Sequence, residues 1–347
     1  MLFFVYIVLL LVDNHKNNSM KIAMHQWAEE TMANAEKTIF PIMTYPGLPL
    51  INKTIAEMTC SGKVQFECIR ALANRFPKMP AIPMSMDLSL EAEAFGAEVI
   101  ITDNEVPAIQ GRVLSEYTEI VGLTIPEPST KRINAFVDAA ELLVGADFGK
   151  PVFAGSIGPY SLAGRLLDLT EILTGIFIYP DEVHQLLEKT TQFLVSYLER
   201  LKATGVNGVI MAEPAAGLLG EEQCNEFSSN YIRKIVEKVQ DDTFWIILHN
   251  CGNTASLVDS MVSTGAKAYH FGNAVDMSAI LPLVPEEYMV MGNLNPVGVI
   301  KLKSPAQITA EVALLRQKTC QYKNFVLSSG CDIPPGTSLE NINALFC

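Results

Sequence analysis

Short apolar runs alternate with helix-forming segments from about residue 80 to the C-terminus, and few architectures accept that alternation. "AIPMSMD" (81–87) leads into "LSLEAEAF", and "PVFAGSI" (151–157) into "GPYSLAGRLLDL". The segment 180–205 opens on Pro180 with acidic residues behind it and closes on Lys202 and Gly205, which are helix start and stop signals. Strand-like runs follow at 207–213, 244–250, 266–272, 288–294 and 324–330, with helical stretches at 221–240, 254–265, 276–283 and 305–320 between them. Nearly continuous apolar strands separated by helices make a parallel sheet covered on its faces. Counting runs near 81, 97, 151, 207, 244, 266, 288 and 324 predicts eight strands. The expected fold is therefore a single (β/α)8 TIM barrel with an N-terminal helical extension. No G-x-G-x-x-G turn follows any strand, which weakens the dinucleotide-binding alternative.

The 347-residue length suits one such barrel, and 49% hydrophobic residues can fill it. A net charge of -13 argues against a nucleic-acid partner. Seven cysteines without an even, dense spacing read as free thiols in a reducing, cytoplasmic setting. The opening "MLFFVYIVLLLV" is short for a membrane span and has the wrong flanks for a signal peptide. Residues 1–19 are expected to be a dispensable extension, with Met20 opening the domain that runs over 20–347. The last helix, "SLENINALFC", stops early for a barrel, so the C-terminus reads as truncated.

In a barrel the active site lies at the C-terminal ends of the strands, so polar residues there carry the functional expectation. Those ends deliver Asp87, Glu213, His249 with Cys251 one step further, His270, Asn293, and Cys331 followed by Asp332. Tyr160, just past the strand at 151–157, is a candidate substrate contact. His249 and Cys251 are alternate residues of an extended chain and can share a face. With Cys331 they would offer Zn2+ one imidazole and two thiolates, leaving a fourth position open. His270 is either a hydrogen-bonded core histidine or that fourth ligand. Asp87 is read equally as a helix N-cap or a site residue, and Glu213 as a carboxylate that binds substrate rather than caps a helix.

"LSLEAEAFGAEV", "GSIGPYSLAGRL", "GVIMAEPAAGLL", "ILHNCGNT", "MGNLNP" and "SSGCDIPPGTSLENINAL" together resemble the uroporphyrinogen decarboxylase-like superfamily, from about residue 20 to the end. That resemblance implies the same barrel. Its decarboxylases carry an arginine-containing segment near the N-terminus, whereas "FPIMTYPGLPLINK" has no arginine, and they have a histidine where Cys331 stands. Its cobalamin-dependent branch, the methylcobalamin:coenzyme M type, uses H-x-C and a distant cysteine as zinc ligands, which His249, Cys251 and Cys331 match. The resemblance thus implies methyl transfer from a methylcobalamin or other corrinoid, carried by a small partner protein, to a thiol held on zinc. Glu213 and Asp87 would act on the acceptor, Asn293 and Tyr160 would line its pocket, and a homodimer is compatible with the pattern. Some members add an acidic ligand from the next strand, where this chain has Gly272 and Asn273. The alternatives are decarboxylation of a porphyrinogen or other carboxylate, and a corrinoid-binding scaffold without chemistry.

Overall fold

A computed structural model describes residues 22–34 and 38–347, so the expectation for residues 1–19 lies outside the described residues. Seven parallel strands form one sheet: β1 (Ile82–Pro83), β4 (Val152–Ile157), β5 (Gly208–Ala212), β6 (Trp245–Asn250), β7 (Ala268–Phe271), β8 (Met289–Leu294) and β9 (Phe325–Ser329), paired in that order. The strand expected near residue 97 is not part of it. β2 (Glu98–Ile100) pairs with β3 (Ala108–Gln110) as an antiparallel hairpin outside the sheet, with exposed rather than buried ends. Its alternating exposure marks a surface ribbon, whereas a strand covered on both faces is apolar throughout. Past β9 the order continues through a single parallel bridge, Ile39 to Leu327, made where the chain leads into the Pro-rich segment "FPIMTYPGLP" (40–49).

Residue parity along each strand shows how the sheet curls. Phe153, Ile210, Trp245, Ile247, Ala268, Met289, Met291 and Val326 pack into one inner cluster with Phe40 and Ile42. Their neighbours Ala154, Val209, Met211, Ile246, Leu248, Tyr269 and Val290 instead pack outward into the main core. Met24 and Trp27 of the helix Met24–Ala33 join the inner cluster, and the Trp27 indole N–H donates to the Pro80 carbonyl. Full burial of side chains of this size stabilises by about 1.5–3 kcal/mol each, so both faces hold the strands in place.

The helices form where their ends are signalled. Thr130 caps Lys131–Gly145 by accepting from the Ile133 N–H. Pro180–Ala203 starts on its proline with Asp181 and Glu182 in the first turn, and ends with Arg200 and Lys202, matching the helix dipole. The helix expected over 221–240 is broken into Glu221–Cys224, a wider turn at Asn225–Ser229, and Asn230–Val239. The one expected over 254–265 shortens to Val258–Val262. Ser338 caps Leu339–Asn343 by accepting from the Asn341 N–H. No helix among the described residues is long and apolar enough to cross a membrane.

Candidate metal centre and its surroundings

His249 occupies the penultimate position of β6 and shares the inward parity of Trp245 and Ile247. Cys251 continues that parity one step beyond the strand. Cys331 arrives from the turn after β9, and the three side chains are neighbours: the Cys251 thiol interacts with both Cys331 and His249. Sharing a proton with Cys331, and after that the neighbouring His249 imidazole, pulls the Cys251 thiol down to about 4. Cys331 is pushed up because it holds the proton that the pair shares, and burial adds to this. One thiolate supported by a second thiol and an imidazole is a soft, nucleophilic donor set. His249 Nε2 is buried and has no hydrogen-bond partner. That orphaned nitrogen beside two thiols is the donor chemistry Zn2+ takes, although no group of three or more His, Cys, Asp or Glu side chains among the described residues is arranged to hold a metal ion.

Two glycines let the strand ends come this close. A Cβ on Gly272 would lie 2.4 Å from the Cys251 Cα, and one on Gly330 would lie 2.7 Å from the Asn273 backbone nitrogen. The end of β7 therefore meets Cys251 backbone to backbone, which leaves no room at position 272 for an acidic ligand. His270 does not open a nitrogen to the site either. Its Nδ1 lies 2.8 Å from His249 Nδ1, and its Nε2 lies 2.9 Å from Ser328 Oγ. Burial keeps the His270 imidazole well below its ordinary basicity, and the neighbouring His249 adds to the effect.

The two carboxylates, Glu213 and Asp87, are bonded within the fold. Glu213 shares the outward parity of Val209 and Met211, and it faces the helical layer. Its Oε1 accepts from the Tyr160 N–H at 2.8 Å and the Ser228 hydroxyl at 3.1 Å, and its Oε2 from the Ser161 N–H at 3.0 Å. It thus caps the helix Pro159–Leu167, contrary to the expectation that it would bind substrate rather than a helix end. Burial raises it to about 7 against the pull of those bonds. Gly158 is required beside it, since a Cβ there would lie 2.3 Å from Oε2. Tyr160 is fully buried behind this cap with its hydroxyl unpartnered.

Asp87 is an Asx turn, accepting from the Ser89 N–H at 3.0 Å and the Ser89 hydroxyl at 2.6 Å, and it also forms an ion pair with Arg132. Arg132 reaches Glu93 at 3.1 Å as well, so this buried cation is shared between two carboxylates. The Asn293 amide donates to the Gly272 and Val275 carbonyls at 3.0 and 2.7 Å, tying down the loop after β7. Sequence reasoning missed several groups here. Glu91, raised to about 7 by burial, accepts from the Ile157 N–H. Asp332, placed by the sequence at a strand end but given no role there, is pushed up by full burial, and one of its oxygens has no partner. Tyr45, whose hydroxyl is also unpartnered, is raised by burial and then by Asp332. Ser328 was legible, because it shares the inward parity of Val326. Arg132 had no signal beyond being an arginine in an amphipathic helix.

A parallel sheet curled about its own core, with imidazole and thiol donors gathered at its carboxyl end, defines an α/β enzyme scaffold with a soft-donor site. The family model for uroporphyrinogen decarboxylase (URO-D) matches residues 51–347, and the chain belongs to that family. Methylcobamide:CoM methyltransferase MtbA of Methanosarcina acetivorans is 26% identical over 273 residues, covering 76% of this chain and 78% of that protein. Uroporphyrinogen decarboxylase of Pseudomonas aeruginosa is 26% identical over 284 residues, covering 79% of each. The solved structure of a methyltransferase from Methanosarcina mazei superimposes with a TM-score of 0.81 over 93% of this chain and 96% of that one. At 19% identity it speaks for the fold. Overall similarity therefore does not choose between the two chemistries, and the choice rests on the site residues.

Proposed function

We propose that this chain is a zinc-dependent methyltransferase that passes a methyl group from a methylated corrinoid, presented by a small carrier protein, to a thiol such as coenzyme M. The observation that carries this reading is the unpartnered, buried Nε2 of His249 beside the proton-sharing pair Cys251 and Cys331. When bound, Zn2+ would supply acidification of the acceptor thiol, so that a thiolate is available at neutral pH without a strong general base. His249, Cys251 and Cys331 would hold the ion, and the thiol proton would leave to solvent. The acceptor sulfur would form a bond to the methyl carbon as the cobalt–carbon bond breaks, its electron pair staying on cobalt. Asp87, Arg132 and Ser89 would keep the neighbouring wall fixed, and Glu213 would do the same by seating the helix that carries Tyr160. Segment 38–44 is read with this as the eighth stave of a closed barrel, because Phe40 and Ile42 sit in the inner cluster.

Decarboxylation of a porphyrinogen asks for free cations around an anionic substrate. Arg132 is already shared between Asp87 and Glu93, and residues 40–53 contain no arginine. The test is metal content and turnover together. Purified, reduced protein should hold one zinc, and Cys251→Ala and Cys331→Ala should each lose it. Wild type should demethylate methylcobalamin in the presence of a thiol and leave uroporphyrinogen untouched. Zinc-free wild type after zinc supplementation, or uroporphyrinogen consumption without thiol methylation, would overturn the proposal.

A further inference from the structure

His249 and His270 form an unusual pair, and the hydrogen bonds around them fix where each proton sits. Ser328 Oγ lies 2.6 Å from the Phe40 carbonyl, which can only accept, so the serine hydroxyl proton points there. Ser328 Oγ is then an acceptor for His270 Nε2 at 2.9 Å, which places a proton on that nitrogen. On the other side, His249 Nδ1 lies 3.2 Å from the His270 carbonyl oxygen, which again can only accept. His249 must therefore carry its proton on Nδ1. The same proton faces the bare Nδ1 of His270 at 2.8 Å, so the two rings meet donor to acceptor. Two independent carbonyls, one at each end, give the same assignment. Both rings are buried, with 1% of their surface exposed, so water offers neither an alternative partner.

We infer that His270 and Ser328 are positioning residues: they form a relay from the Phe40 carbonyl to His249 that pins the His249 proton on Nδ1 and leaves Nε2 as the nitrogen open to a ligand. His270 is in this assignment not a fourth metal ligand, since both of its nitrogens are committed. The relay also ties the site to segment 38–44, whose Phe40 N–H donates to the Leu327 carbonyl at 2.9 Å and whose Ile42 N–H donates to Ser329 Oγ at 3.0 Å. Seating that segment on β9 thus sets the serine, the serine orients one imidazole, and that imidazole orients the other. A histidine held by a partner at its second nitrogen is a stronger and better-aimed ligand, and losing such a partner weakens metal binding by roughly 10- to 100-fold.

Only the metal-binding part of this inference rests on the proposed zinc role, so the test has two readouts. The first is 15N–1H correlation of the histidine rings in metal-free, reduced protein, at a pH above the imidazole range. His249 should show one proton, on Nδ1; Ser328→Ala and His270→Leu, which leave only the 3.2 Å bond to the His270 carbonyl to hold it, should let a measurable part of it move to Nε2. The second is zinc affinity by chelator competition. It should fall roughly 10- to 100-fold in both variants, and His270→Asn, whose Oδ1 can replace the Nδ1 acceptor, should recover most of it. Ser328→Ala removes a single oxygen and keeps both rings, so it serves where His270→Leu does not fold. A His249 proton on Nε2 in wild type, or an undisturbed Nδ1 proton with zinc affinity within about twofold of wild type in Ser328→Ala, would overturn the relay. Failure of wild type to bind zinc, with the Nδ1 assignment intact, would overturn the zinc reading and leave the relay standing.

Discussion

Replacing Glu213 by glutamine should change stability by an amount that depends on pH, and the structure gives both terms. The variant keeps an oxygen for the Tyr160 N–H and the Ser228 hydroxyl but turns an NH2 group towards the Ser161 N–H. One buried donor left facing a donor costs about 1–3 kcal/mol. Against this stands the ionisation of the wild-type carboxyl, which burial raises to about 7 from an ordinary 4.5. Between those values the folded chain keeps a proton that the unfolded chain has already released, so wild-type stability falls as pH rises through the window and levels off above it. At roughly 1.4 kcal/mol per pKa unit the loss is on the order of 3 kcal/mol, and glutamine does not share it. Glu91 carries a similar shift but is present in both proteins and cancels. Glu213→Gln should therefore be less stable than wild type at pH 5 by about 1–3 kcal/mol, and close to wild type or more stable at pH 8. Urea unfolding at the two pH values measures this through the midpoint and slope. A deficit that is equal at both, or larger at pH 8, would refute the account, because it would mean that the anion is favoured at this helix end.

Arg132→Met should lower stability by about 3–5 kcal/mol by stranding the buried Asp87 carboxylate, and adding Asp87→Asn should recover a large part; independent, additive effects in a double-mutant cycle would count against the pairing. Gly272→Ala places a methyl group 2.4 Å from the Cys251 Cα, so the thiol must move; a drop in thermal midpoint together with weaker zinc binding is expected, and unchanged zinc affinity would show that the contact is slack. In metal-free protein at pH 6, iodoacetamide should label Cys251, lowered to about 4, well before Cys224, which burial raises to about 11. Peptide mapping reads this, and Cys224 labelling first would contradict the shared-proton picture.

The strands were legible because a parallel sheet covered on both faces must be apolar throughout, and the runs at 151–157, 207–213, 244–250, 266–272, 288–294 and 324–330 satisfy that test. The start of the sheet was legible only in part: the run at 81–87 holds β1, but the strand counted near 97 is not in the sheet. β1 is two residues long, and the segment bearing Ile39, Phe40 and Ile42 is dense in proline and threonine and resembles a loop until its bridge to β9 is seen. The hairpin strand at Glu98–Ile100 took its place in the count because three residues carry too little periodicity to reveal an exposed edge.

Parity separates the legible part of the site from the illegible part. His249 and Cys251 lie two and four residues beyond Ile247, on the inward set, and Ser328 two beyond Val326, so a parity reading alone aims them at the interior. Glu213 lies two beyond Met211 on the outward set, and the same reading would have sent it to the helices, where it caps Pro159–Leu167. The sequence motif "MAEP" suggested a site residue because it marks a strand end, but strand-end position and facing direction are separate properties. A carboxylate at a strand end but on the outward face is taken up by the helix end it meets there. This is why Glu213→Gln is expected to report on stability, while the chemistry should respond to changes at His249, Cys251, Cys331 and the two residues that orient His249.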